Sequence, residues 1–325
     1  DSSTSRGLGD VYKRQLRLVR AGTQIPFVGF KTVAFIVSFV LIVGSLLTLA
    51  SFGLNFGIDF RGGILMEVRS KDNISIIMMR DRLADLNLGE VNIQEFGKET
   101  DALIRIQKQE GAEKEQLVAI NKVKAALGTE IEYRRTEFVG PTVGEELKEA
   151  GLLAIGLALL SILIYIWLRF EWQFGVGALV ALTHDIITTI GLFSLLQYEF
   201  NLATVAAILT IAGYSINDTV VVYDRVRENL RKYKRLELAD VFNMSINETL
   251  SRTTMTSITT LLALFAIFFF GGAVLADFAL AMIWGVCIGT YSSIFIAVPL
   301  LLYVNLKRGG EDFSGLQAPQ DEVPK

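Results

Sequence analysis

Six stretches of this chain are apolar over roughly the 20 residues that a helix needs to cross a hydrocarbon core of about 30 Å. They cover residues 32–52, 150–168, 174–196, 202–223, 256–270 and 275–303, and only two of the connections between them are long. Composition agrees: 51% of residues are hydrophobic, 20% are charged and the mean hydropathy is +0.44, the profile of a polytopic membrane protein. The net charge of −3 adds little. The first run exceeds the roughly 7–15 apolar residues of a cleavable signal peptide, so it reads as a retained helix. Residues 1–15, DSSTSRGLGDVYKRQ, are polar, aperiodic and similar to an adapter read-through, and read as a non-native scar.

Lys and Arg set the expected orientation. Arg17, Arg20 and Lys31 precede the first span, Arg169 follows the second, six basic residues from Arg225 to Arg235 follow the fourth, and Lys307 and Arg308 follow the sixth. With six crossings all of these fall on one side. The connections 197–201 and 271–277 carry neither Lys nor Arg. Both termini are therefore expected on the cytoplasmic side, with residues 16–31 a cytoplasmic segment, 145–303 holding spans two to six, 224–251 a solvated, partly helical cytoplasmic loop and 304–325 a disordered tail. Lipids are the expected surroundings.

Residues 53–144 are then a soluble insert on the outer face between spans one and two, periplasmic if the membrane is a bacterial inner membrane. Ile64, Met66 and Val68 alternate as a strand does. Ile76, Met79, Leu83 and Leu86 follow at helical spacing behind the candidate caps Asn73 and Ser75. Val91 and Ile93, then Ile104 and Ile106, make two more strands; Leu117, Ile120, Val123 and Leu127 form a second helical stripe ended by Gly128, and Ile131 and Tyr133 make a last strand. Strand, helix, strand, strand, helix, strand is the order of a ferredoxin-like sandwich. The expected fold is an α-helical membrane protein of six spans with an α+β ferredoxin-like (βαββαβ) domain inserted after the first.

Several chemistries are excluded. Cys287 is the one cysteine, so there is no intrachain disulfide or thiolate cluster; His184 is the one histidine, which removes zinc sites and Ser-His triads. Gly97-Lys98 is followed by Glu99 and is no phosphate loop. No metal or cofactor is expected, nor any nucleic acid.

Charge inside a span is what remains. An ionised side chain at the centre of a membrane helix costs about 2.5–3.5 kcal/mol on insertion scales, so it calls for a partner, a cavity or a task. His184 and Asp185 lie mid-way along the third span, Asp218 lies before the inner end of the fourth, and Arg252 leads the fifth with Thr256 and Thr259 or Thr260 on one face. Tyr214, Thr210 and Asn217 add a polar seam that belongs inside a bundle. An acid that can trade its proton for an arginine can couple protonation to a helix shift. One charge crossing 100 mV releases about 2.3 kcal/mol, roughly fifty-fold in a two-state equilibrium. A lone imidazole on an apolar helix is more often a packing residue than a relay, although its ordinary pKa of about 6.5 suits one.

FGIDFRGG, residues 56–63, sits where the first span ends. Phe52, Phe56 and Phe60 would make an interfacial anchor on a helical extension; Asp59 and Arg61 would share one face of an extended segment; Gly62 and Gly63 permit unusual backbone angles.

GIDFRGG, VGPTVGEEL (139–147), AGYSINDTVVVYDRVREN (212–229), LSRTTMTSITT (250–260) and FALAMIWGVCIGTYSSIFIA (278–297) together resemble the SecF subunit family of the bacterial protein-export machinery, which belongs to the resistance–nodulation–division superfamily. The likeness runs from about Arg17 to Lys307. It implies a non-enzymatic subunit of the inner membrane that uses the proton motive force in late steps of export. It also implies a SecD-like sister with a second six-helix half, the SecYEG channel and a translocating polypeptide as partners. Gly57, Asp59, Phe60, Gly62 and Gly63 match the family's glycine motif; Asp218 and Arg252 match its proton path, with Asp185 and His184 as further candidates. Two other readings stand beside it: half of a lipid or small-molecule exporter of the same superfamily, and, more remotely, an intramembrane aspartyl protease in which Asp185 and Asp218 share a proton.

Overall fold

A computed structural model describes residues 23–71, 75–96, 98–109, 111, 113–128 and 130–304. The candidate scar, Asn73 and most of the tail lie outside them. Six helices are long and apolar enough to span a membrane: α1 (Lys31–Phe52), α5 (Pro141–Arg169), α6 (Trp172–Leu196), α7 (Leu202–Lys232), α8 (Leu238–Phe270), and α9 (Ala273–Ser292), which runs on through a π turn (Ser293–Ala297) and short turns to Tyr303. Burial sorts them. In their most apolar stretches α6 and α7 are 50% buried and the last span 67%, against 11% for α1 and α5 and 17% for α8. The inner three form the core, and the outer three leave large apolar side chains such as Leu46, Trp167 and Phe269 exposed on their outer faces.

Glycine sets the closest approach. Gly285 meets Ile211 and Gly289 meets Ser215, so α9 rests almost backbone-to-side-chain on α7; a Cβ at Gly289 would stand 3.2 Å from that of Ser215. The four-residue spacing of these glycines permits this contact.

Between α1 and α5 lie a short strand β1 (Asn55–Phe56), a single turn α2 (Ile58–Arg61), and then β2 (Gly63–Ser70), α3 (Ile76–Ala84), β3 (Val91–Phe96), β4 (Lys98–Ile106), α4 (Glu113–Leu127) and β5 (Ile131–Val139). The four-stranded sheet has the order β3-β4-β2-β5 with every pairing antiparallel, which is the ferredoxin-like arrangement. Ile64, Met66 and Val68 are fully buried, facing Met79 and Leu83 of α3 and Ile120, Val123 and Leu127 of α4. Ser75 caps α3 by accepting from Met78 N at 3.4 Å, and Gly128 ends α4 at φ +82°.

Four local readings need correction. Leu117 is exposed, and Gln116 takes its place in the buried stripe because its amide is satisfied by Gln109 N and O at 3.3 and 2.8 Å. Leu86 falls beyond the end of α3. Residues 224–251 are not mainly loop: α7 and α8 run through most of them and leave 233–237 as the connector. Arg225 to Glu248 at 2.6 Å and Asn229 to Ser245 at 3.0 Å hold the two helices together there, over buried Val226, Leu230, Val241 and Phe242.

The fourth correction concerns FGIDFRGG. The helix stops at Phe52 and does not extend. Phe56 instead enters β1, which pairs in parallel with β6 (Glu199–Phe200) in the α6–α7 turn, and Phe56, Phe60 and Phe200 stack edge-on or tilted within 6.0 Å. Asp59 and Arg61 sit on one helical turn, where residues two apart do not face each other. Asp59 Oδ2 accepts from Leu202 N at 2.9 Å, adding a carboxylate to the N-terminus of α7 beside the cap supplied by Asn201. Gly62 and Gly63 have φ of +71° and +128°, and a Cβ on Gly63 would stand 2.6 Å from Ile106 O. The segment clasps the helix hairpin that bears Asp185 and Asp218.

Candidate functional site

The inner helices enclose a polar cluster. Asp185 on α6 is 0% exposed, and its Oδ2 accepts from Ser215 Oγ on α7 at 2.6 Å and from Ser292 Oγ at the end of α9 at 2.7 Å. Its Oδ1 lies 3.0 Å from His184 Nδ1. His184 is buried, and among the described residues its other ring nitrogen, Nε2, has no hydrogen-bond partner. Tyr291, whose ring lies 6.1 Å from that of His184, donates to Ala34 O of α1 at 2.8 Å.

Asp218 on α7 is 7% exposed. Thr253 Oγ1 of α8 donates to its Oδ1 and Ser293 Oγ of the π turn to its Oδ2, both at 2.7 Å. One layer along, Ser257 and Thr290 hydroxyls meet at 2.7 Å and Tyr214 reaches Ser257 at 3.5 Å. Four elements thus converge through short side chains, which tolerate the tight spacing that Gly285 and Gly289 impose.

The expected residues are only partly brought together. Asp185 and His184 touch, and Asp218 is buried. Arg252 is exposed and makes no ion pair among the described residues; it lies within electrostatic reach of Asp218, beside the Thr253 that donates to it. Asp185 and Asp218 have separate donors and no bond to each other. Thr210 and Asn217, read as an inner seam, are exposed, and the hydroxyls of Thr256, Thr259 and Thr260 turn back to their own helix. The inner seam is instead Ser215, Asp218 and Thr219, one helical face round. Ser215, Thr253, Ser292 and Ser293 were not singled out from sequence. Neutral hydroxyls in a Ser- and Thr-rich helix carry no signal until an acid faces them.

Membrane-length helices that bury two carboxyls among hydroxyls, with a small α+β sandwich inserted after the first, define a multi-pass membrane protein of the transport class. Residues 119–307 match the family described as protein export membrane protein SecD/SecF, C-terminal, and residues 48–74 match the SecD/SecF GG motif. The chain is 46% identical to the protein translocase subunit SecF of Rickettsia rickettsii over 297 residues, covering 90% of this chain and 96% of that one. Its counterpart in Rickettsia bellii is 45% identical over the same length, 90% of this chain and 97% of the other. The crystal structure of SecDF from Thermus thermophilus superposes with a TM-score of 0.77 at 36% identity, covering 87% of this chain and 39% of that one. SecDF in its super-membrane-facing form gives 0.63 at 35%, covering 86% and 39%. This chain belongs to the SecF family of protein-export membrane subunits. It spans about two-fifths of the length of the SecDF chains it resembles.

Proposed function

We propose that this chain is the SecF half of a SecD–SecF pair in the bacterial cytoplasmic membrane, which draws on the proton motive force to promote late steps of export through the SecYEG channel. In this reading the sandwich, residues 53–144, lies in the periplasm, where it handles the emerging polypeptide, and both termini lie in the cytoplasm. The basic residues support that orientation. Arg169, Arg225, Arg227, Arg231 and Lys232 gather at one end of the bundle, whereas the α6–α7 and α8–α9 turns that carry no Lys or Arg lie at the end of the sandwich.

The single observation that carries the proposal is Asp218, buried in a membrane-length helix and bonded, among the described residues, by hydroxyls alone, with Arg252 outside the cluster next to one of those hydroxyls. A small turn of α8 would exchange Thr253 for the guanidinium and expel the proton. Each such exchange would move α7, whose N-terminus is bonded to Asp59 in the clasp below the sandwich. The outward row of Thr210, Gly213 and Asn217 on α7 and Arg252, Thr256 and Thr259 on α8 supports a second half, because polar groups left against lipid are costly and Gly213 leaves room for a close helix.

The test uses vesicles carrying the whole complex with a stalled export intermediate. Asp218→Asn is expected to abolish proton-driven completion while the complex still assembles. Undiminished completion would refute the assignment.

A further inference from the structure

We propose that Ser293, and Ser292 beside it, are hydroxyl swivels: positioning residues that give Asp218 and Asp185 a hydrogen-bond partner whether or not each acid carries its proton. The inference deepens the proposed function and rests on its reading of Asp218 as a carboxyl that changes protonation.

The argument starts from proton counting. A charged carboxylate only accepts hydrogen bonds, whereas a neutral carboxyl must also donate one. A hydroxyl has one proton to give. Asp218 as it stands receives two donors, one on each oxygen, from Thr253 and Ser293. This set satisfies the charged form, and protonation requires one donor to turn away. Among the described residues Thr253 Oγ1 has Asp218 alone as its acceptor. Ser293 has a choice, because Thr290 O lies 3.1 Å from its Oγ. With its proton turned to Thr290 O, the oxygen of Ser293 is free to accept from the neutral acid. The chain then runs from Asp218 through Ser293 to a main-chain carbonyl with no donor or acceptor orphaned.

Asp185 repeats the arrangement. Among the described residues Ser215 Oγ has only Asp185, whereas Ser292 Oγ lies 3.1 Å from Gly289 O as well as 2.7 Å from the acid. Adjacent residues of a helix point about 100° apart. One serine therefore serves α6 and its neighbour serves α7, at the entry to the π turn. Single π turns inside α-helices recur at functional sites. Protonation forms one O–H bond on the carboxylate with a proton taken up from water outside the cluster and ionisation breaks it again, while each serine keeps its own O–H bond and only turns that proton from the acid to the main-chain carbonyl.

The other titratable or charged groups around Asp218 are Asp185 and His184 on α6, Tyr214 and Tyr223 on α7, Arg252 on α8 and Tyr291 on α9; α5 has none between Glu149 and Tyr165.

The experiment follows the carboxyl C=O stretch by infrared titration of the full chain reconstituted with its sister subunit in liposomes. Difference spectra with Asp218→Asn and Asp185→Asn assign the two bands. Ser293→Ala is expected to move the midpoint of the Asp218 band by about half a pH unit or more and to shift the band toward that of a carboxyl without an acceptor. Ser293→Thr should retain both values, and Ser292→Ala should move only the Asp185 band. Ser293→Cys, which fills the same space with a weak hydrogen-bonding group, serves if the alanine variant does not assemble, and it should shift the band in the same direction. An Asp218 band unmoved in both variants overturns the swivel, even where Asp218→Asn stops export. A moved band with export intact in Asp218→Asn leaves the swivel standing and removes the proton drive.

Discussion

The acids of the sandwich and the two acids buried inside the bundle, Asp185 and Asp218, are held by different chemistry. In the sandwich and at its base Asp101 is gripped by Arg69 through two bonds of 2.6 Å, Glu67 by Arg134 at 3.3 Å, Glu137 by Arg135, and Glu199 by Arg105. In the bundle Asp185 and Asp218 have hydroxyls and one imidazole. Arginine does not give up its proton in a protein, so an acid bonded to it is committed to its charge. A hydroxyl can donate or accept and commits its partner to neither state. Fixed pairs serve a domain that has to keep its shape, and amphoteric ones serve acids that have to change.

The hardest way to press this contrast is to remove an acid from the bundle. Asp185→Ala would strand the Ser215 hydroxyl and the ring nitrogen of His184 in a buried site, while Ser292 falls back on Gly289 O. Each buried donor left unsatisfied costs about 1–3 kcal/mol, so the loss should exceed that of any single sandwich variant. Thermal unfolding in detergent should show a large fall in Tm, with Asp185→Asn restoring most of it because the amide oxygen still accepts. If Asp185→Ala unfolded with the native protein, the cluster would not be what joins α6, α7 and α9.

A milder change asks whether the two regions are separable. Gly63 enters β2 at φ +128°, with Ile106 O where a Cβ would go. Strain of this kind costs on the order of 1–3 kcal/mol. Gly63→Ala should speed amide exchange in β2 and β4 while leaving α6 and α7 unchanged; equal acceleration in both would show that the clasp at Asp59 and Glu199 makes them one cooperative unit.

Sequence made the scaffold legible and left the site half hidden, for a physical reason. Span length and the alternation of Ile64, Met66 and Val68 are properties of a segment by itself, so the six helices and the sandwich could be read directly. Asp185 and Asp218 stand out because charge in an apolar run needs explaining. What they bond to depends on which helices adjoin. Ser292 and Ser293 lie over 70 residues beyond Asp218, and nothing local marks them. The aromatic residues of FGIDFRGG misled for the same reason, since their period of four suits a helix and only the distant Phe200 draws Phe56 into a strand. Arg252 is linked to Asp218 in the sequence by its charge and by the family likeness; in the fold Thr253 bonds the acid and Arg252 stands beside that threonine.

The smallest expected effect tests the committed side of the comparison. Arg69 lies directly opposite Asp101 across β2 and β4, and its two bonds to the carboxylate, helped by one from Thr100 at 3.2 Å, hold the Asp101 pKa below the usual aspartate value. A depressed pKa means that the stabilisation is complete above the unfolded-state value of about 3.9 and is lost as pH falls through the lower folded one. Amide exchange in β2 and β4, corrected for intrinsic rates, should therefore accelerate as pH drops from about 5 toward 3. In Asp101→Asn the strands should already be looser at the higher pH, by less than in Gly63→Ala, because Arg69 is partly exposed and water screens the pair. Part of the acid-induced acceleration should disappear in that variant. If its full pH dependence persisted, another carboxylate would carry the effect, and the arginine grip on Asp101 would be geometry without consequence.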